Sequence, residues 1–183
     1  MKNTSLWTKE DIVKAIDFQH TAFSATIALL EEKQFTFLWE GKWTPGQQLE
    51  HIRKSVAPVV LAFRLPRFLL KYQFGLTNRP SRTYAALVQK YLTALAGNAA
   101  IAPVQFQPKE VPFSQKQKKL KAYESTIRKL YEVALKATEE ELDLYVLPHP
   151  LIGKLTLREM LFFCIYHVQH HHKITKEIIG NCP

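Results

Sequence analysis

At several places in this chain a serine or threonine is followed, three residues on, by glutamine or glutamate. Three that precede long apolar runs are Thr44 to Gln47, Ser114 to Gln117 and Thr156 to Glu159. This reciprocal pairing satisfies the free N–H groups at a helix start, and each instance opens a run of apolar residues at helical spacing. Pro45, at the first helical position, strengthens the first of them. Ahead of these, Ile12, Ile16, Phe23, Ile27 and Leu30 recur at helical spacing and predict a helix from Thr8 to about Phe37. The second helix runs from Thr44 to about Tyr72, with Pro58 and Pro66 expected to kink or break it. Ser81 to about Gly97 reads as a shorter helix, and Asn98 to Pro112, with three prolines, as an extended connection. Ser114 then opens a helix to about Thr138. Leu147–Pro150 reads as loop, and Thr156 opens a last helix that ends at Gly180. No strand-like alternation competes with this pattern, so no sheet is expected.

Four long helices and a short one predict an all-α four-helix bundle. About 40 residues separate the second long helix from the third. Antiparallel neighbours need only a short loop, so the gap predicts a long crossover between parallel helices, carrying the short extra helix. At 183 residues the chain is expected to form a single domain, 1–183. Apolar runs such as Val59–Phe63 fall far short of a bilayer span, so no membrane partner is expected. Met1–Trp7 has no apolar stretch of the secretory kind. With Cys164 in mid-helix and Cys182 next to last, a disulfide framework is not expected, and a reducing cytoplasmic location fits. The net charge is +9. The densest basic run, Lys116 to Lys121, spreads round a helix without interleaved aromatics, so it reads as a solvated face rather than a nucleic-acid site.

Four of the seven histidines fall between residues 167 and 172. On a wheel of about 100° per residue, Met160, Phe163, Cys164, His171, Ile174 and Ile178 share a face with His167. His167 and His171 therefore project together from the buried stripe. His170 falls at its edge and His172 on the other flank. Two buried imidazoles at i, i+4 read either as ligands of one metal ion or as core histidines bonded to neighbours. A metal needs a third ligand, and His20, His51, His149 and the carboxylates are candidates. His51 lies two turns into the second helix, beside Thr44, Ser55, Pro58 and Ala62, with the bulky arc of Ile52, Val56, Val59 and Phe63 to one side. Its surroundings are small enough to leave room for an ion and a substrate. His20 flanks the apolar stripe of the first helix, as a core histidine would, and His149 between two prolines reads as a loop residue. Cys164, one turn before His167, reads as a small core residue. Glu50 is expected at the surface, and Asp17 and Glu159 are candidates to orient the ligand imidazoles.

The stretches Trp43–Ile52, Leu155–Leu161 and His167–His171 together resemble the DinB/YfiT-like superfamily. The likeness covers the chain from the second helix onward; the first helix fits by length and position. It implies a DinB-like four-helix bundle in which His51, His167 and His171 ligate a divalent metal ion, zinc or nickel before iron or manganese. Where the family often continues with Arg-Gly-Gln, His172-Lys173-Ile174 stands here, which leaves the ligand set intact and changes any substrate contact made by that tail. The resemblance implies a metal-dependent enzyme acting on a small-molecule substrate, either a hydrolase or a thiol transferase like the bacillithiol and mycothiol S-transferases among its members. A low-molecular-weight thiol is anionic, and a basic protein suits it. Catalytic residues beyond the metal ligands are not assigned, and a homodimer is compatible with the family. A metal-holding stress-response protein without turnover is the alternative. An enzyme requires an open coordination position and a reachable pocket; a metal-holding protein requires a fourth protein ligand and a closed site.

Overall fold

The structure, a computed structural model, describes residues 7–97 and 102–183. The Met1–Leu6 stretch and residues 98–101, where the extended connection was expected to begin, lie outside the described residues. Helix α1 (Lys9–Leu29) is followed by a one-turn helix α2 (Glu32–Phe35), and α3 spans Pro45–Arg64. Thr8 caps α1 through a reciprocal pair with Asp11. Thr44 and Gln47 make the expected pair at the start of α3. Pro58 is carried inside α3, and the helix stops at Leu65, whose extended backbone is what the residue before Pro66 prefers. The predicted second helix is therefore two, α3 and α4 (Arg67–Phe74). The short crossover helix is α5 (Tyr84–Gly97).

The third long helix, α6 (Lys116–Lys136), does not begin as expected. Ser114 makes no cap. It lies inside a 3₁₀ turn, Phe113–Gln115, closed by Gln115 N–H donating to the Pro112 carbonyl at 2.9 Å. The entry is set by tertiary contact. Buried Lys116 turns its ammonium inward and donates to the carbonyls of Ala28, at 2.7 Å, and Leu30, capping the C-terminal end of α1.

Helix α7 (Glu139–Leu144) leads into a hairpin of β1 (Val146–His149) and β2 (Gly153–Thr156), and α8 (Leu157–Gly180) closes the chain. The hairpin corrects the expectation of no sheet and of a loop at Leu147–Pro150. Leu147 pairs with Leu155, and His149 with Gly153 across a three-residue turn. Gly153 has φ +79°, a conformation glycine adopts without strain. A ribbon of two strands is all edge, so it tolerates Pro148, which in the sequence argued against a strand.

The four long helices form the predicted bundle. α1 packs on α6 and α8, and α3 packs on the same two, which leaves α1 and α3 on a diagonal. His20 meets Tyr123 while Ala28 meets Lys116, so α1 and α6 are antiparallel. Trp7 meets Phe162 and Thr26 meets His172, so α1 and α8 are parallel. Gln48 meets His171, and Pro58 lies with Met160 beside one cavity, so α3 and α8 are antiparallel. It follows that α3 and α6 are parallel, as the long crossover requires. The core holds Ile12, Ile16, Phe23 and Ile27 of α1 with Leu49, Ile52 and Val56 of α3. Tyr123 and Leu130 of α6 and Leu161, Phe162 and Val168 of α8 complete it. Burying each such side chain is worth about 1.5–3 kcal/mol.

The crossover is held to α8 by Glu159, whose side chain is fully buried. Its carboxylate accepts from both terminal nitrogens of Arg79, at 2.7 and 2.8 Å, and from the backbone N–H of Arg82 at 2.8 Å. Burial alone would raise its pKa; the arginine hydrogen bonds outweigh it, and the carboxyl is held below the usual range.

Candidate metal centre

His51 points inward from α3 because Thr44 fixes the helix start two turns before it. His167 and His171 leave α8 one turn apart, and Thr156 with Glu159 sets the register of that helix. Antiparallel packing of α3 on α8 then brings the three rings together. His51 Nε2 lies 3.1 Å from His167 Nε2, and His171 Nε2 lies 3.0 Å from the same atom. The three ligand atoms are all within 4.8 Å of one another, and all three residues are buried. Nitrogens at about 2.0–2.1 Å from a tetrahedral ion lie roughly 3.3 Å apart, close to the two separations of 3.1 and 3.0 Å here.

Hydrogen bonds define which nitrogen carries the proton. His51 Nδ1 donates to the Phe106 carbonyl at 2.8 Å, since a carbonyl can only accept. Gln48 Nε2 donates to the Trp43 carbonyl at 3.0 Å, which turns Gln48 Oε1 toward His171 to accept from its Nδ1. Both rings therefore present bare Nε2 lone pairs to the same point. One Nε2–H on His167 can satisfy one of them well, not both. A cation meets all three. Burial also holds each ring neutral. It drives His167 and His171 far below the ordinary imidazole range and lowers His51 against the opposing pull of the Phe106 carbonyl. The residues thus fit a divalent ion. His167 Nδ1, which must hold the proton when Nε2 ligates, has no partner among the described residues.

The other histidines separate cleanly. His20 is the expected core histidine, its Nδ1 2.6 Å from Tyr123 Oη. His172 bonds to Thr26 at 2.8 Å. His170 borders the cavity beside the cluster but is not part of it. His149 is not a loop residue: it is buried in β1 against Phe163. Cys164 is a core residue whose thiol burial pushes up to about 12. Three expectations about carboxylates fail as well. Glu50 is buried rather than at the surface, paired with Arg53 at 2.7 Å and Lys119 at 3.3 Å. Asp17 is exposed, and Glu159 is committed to the arginines, so neither orients the clustered imidazoles. Gln48 and the Phe106 carbonyl hold two of those rings instead. Gln48, three residues before His51 on one helix face, was discoverable from spacing. Nothing in the sequence marks a backbone carbonyl 55 residues away.

No cysteine or carboxylate joins the three histidines among the described residues. Beside them opens a cavity of about 1030 Å³, bounded by Ser55, Pro58 and Ala62, as the small residues round His51 suggested, and by Trp43 and the hairpin turn. Its other walls are mainly apolar, among them Phe74, Tyr91 and Phe163, with Gln107, His149 and His170 as polar members. The Trp43 ring lies 4.7 Å from that of His51, across the front of the cluster. The basic run is partly consumed by structure, since Lys116 caps α1 and Lys119 pairs with Glu50. Among the described residues no helix is long and apolar enough to cross a membrane.

A family model, that of the DinB superfamily, matches residues 15–174, a span that contains all three clustered histidines. No curated protein matches the chain.

Proposed function

This chain belongs to the DinB superfamily, and from that premise we propose that His51, His167 and His171 bind one divalent metal ion in an enzyme acting on a small molecule admitted by the cavity. The observation that carries the reading is the convergence of three buried Nε2 atoms, two of them held as bare lone pairs by Phe106 and Gln48. Imidazole donors suit zinc and nickel, with iron and manganese behind them. Held by three neutral ligands, such an ion would keep its full charge and would supply the chemistry of acidifying water or binding a thiolate.

The chain's own part is to orient the imidazoles, cover them with Trp43 and line the approach with apolar groups that exclude water. Thiol transfer and hydrolysis both fit this arrangement. For thiol transfer, a net charge of +9 favours an anionic low-molecular-weight thiol as the co-substrate of the molecule held in the cavity. Free Cys164 and Cys182 suit a reducing cytoplasm. A metal-holding protein without turnover calls for a fourth protein ligand and a closed site; the cavity beside the cluster supports the enzyme instead.

Elemental analysis of protein purified without metal-affinity resin is expected to give about one divalent ion per chain, as one three-ligand site implies. His51→Ala, His167→Ala and His171→Ala each reduce it to a small fraction, and His170→Ala does not. Equal loss from His170→Ala overturns the ligand assignment. A screen of thiols against electrophiles, with chelated protein as control, tests the enzyme. Full metal occupancy without turnover in that screen or against hydrolysable esters would favour the metal-holding reading.

A further inference from the structure

His149 is the one histidine on the cavity wall whose hydrogen bonds are turned away from both the metal cluster and solvent. Its Nδ1 accepts from two backbone N–H groups of its own hairpin turn, Leu151 at 3.2 Å and Ile152 at 3.4 Å. A nitrogen that accepts carries no proton, so in the neutral ring the proton is on Nε2. That atom makes no hydrogen bond among the described residues, yet it is not one of the side-chain atoms sealed from solvent. The ring lines the cavity. Its centroid is 4.3 Å from that of Phe163, which in turn stacks 4.8 Å from His167, so one phenyl ring separates His149 from the ligand cluster.

We infer that His149 is a binding residue for the cavity's occupant: its Nε2–H donates to an oxygen acceptor, of carbonyl type, on an otherwise apolar molecule whose other end faces the three imidazoles. The chemistry follows from what surrounds it. Tyr91, 6.1 Å from His149 between ring centroids, Phe163 and Leu95 offer apolar surface on this side of the cavity. A donor set in such a wall is costly to leave unpaired, and it discriminates strongly between ligands that pair it and ligands that do not. The backbone grip on Nδ1 keeps the ring a donor rather than an acceptor, and burial, with Lys90 nearby, keeps it neutral, lowering its pKa to about 4. A neutral donor suits an uncharged carbonyl without requiring a second charge to be buried. The inference deepens the proposed function by giving its substrate class, and it rests on that reading only for which group faces the imidazoles.

The test uses two probes of nearly equal shape, butyrophenone and butylbenzene, which differ by one carbonyl oxygen. Affinities for wild type and His149→Phe are read from intrinsic tryptophan fluorescence or ligand-observed NMR, with metal loaded and with metal removed. The hydrocarbon is expected to bind both proteins alike. The ketone-to-hydrocarbon affinity ratio is expected to fall roughly three- to tenfold in the variant, the usual net worth of one hydrogen bond. An unchanged ratio overturns the inference. Because the comparison is made without metal as well, its failure is separable from failure of the metal site, which elemental analysis reads. Should His149→Phe not fold, long-range ¹⁵N–¹H spectra of wild type decide. The Nε2–H tautomer, with its proton shifted by the ketone and not by the hydrocarbon, supports the inference. An Nδ1–H tautomer, or a proton that the ketone leaves unmoved, overturns it.

Discussion

Seven residues of one type do different work here according to what each ring nitrogen meets. Three converge on one point, His149 faces the cavity with one edge anchored, and His20 is closed in the core against Tyr123. Burial makes the pH response of this set predictable. His20 is pushed down to about 3 and His149 to about 4. Each is neutral in the folded chain and takes up a proton when unfolded below about 6.5. The unfolded state therefore binds more protons, and stability is present above that pH and lost as pH falls toward about 3. Urea midpoints of chelated protein are expected to drop steadily from pH 7 to pH 5, each buried histidine contributing on the order of 1 kcal/mol per pH unit. His20→Asn makes that slope shallower. A midpoint that rises on acidification contradicts the account.

At the level of elements, the site depends on how α3 enters the bundle. Gly46, in its first turn, is there because the Phe35 ring of α2 packs against it. A Cβ at this position would lie 2.6 and 2.7 Å from two ring carbons and 3.2 Å from the Cβ of Val111. Both neighbours are core residues that have little room to yield. Gly46→Ala is expected to lose about 1–3 kcal/mol in urea unfolding and to weaken metal binding, because the displaced turn carries Gln48. A variant as stable as wild type would show that the ring moves freely. The entry of α6 gives the complementary case. Lys116→Met leaves the Ala28 and Leu30 carbonyls without their donor, at a cost of roughly 1–3 kcal/mol by the same measurement. An unchanged midpoint would mean that water replaces the ammonium.

Across the whole molecule, the cluster joins α3 to α8 over a separation of 116 residues between His51 and His167. An ion there would bind the folded bundle and not the open chain, so it stabilises by mass action. Thermal melts with zinc at about a hundred times its dissociation constant are expected to show a gain near 2.7 kcal/mol, reversed by chelator. His167→Ala is expected to show no response. Equal melting with and without metal, in protein shown to bind it, would mean that the ligands do not bridge the two helices.

The four long helices, two of the three expected caps, the bundle and the i, i+4 histidine pair are local or periodic properties, carried by residues within a few positions of one another. They could be read from the chain itself, as could the parallel crossover, because loop length limits which helices can neighbour. His51 was legible as a candidate for the same reason: Thr44 fixes its helix phase and its neighbours are small. Tertiary structure alone decided the rest. Ser114 has the right partner residue for a cap, yet the pull of α1 on Lys116 sets a different helix start. Pro148 argues against a strand locally, and only the pairing of Leu147 with Leu155 makes it one. Glu50 is charged and next to His51, but Arg53 and Lys119 compensate its burial. The proton positions that fit the three histidines to a metal ion depend on Gln48, the Phe106 carbonyl and the packing of α3 on α8. Those contacts exist only once the chain has closed on itself.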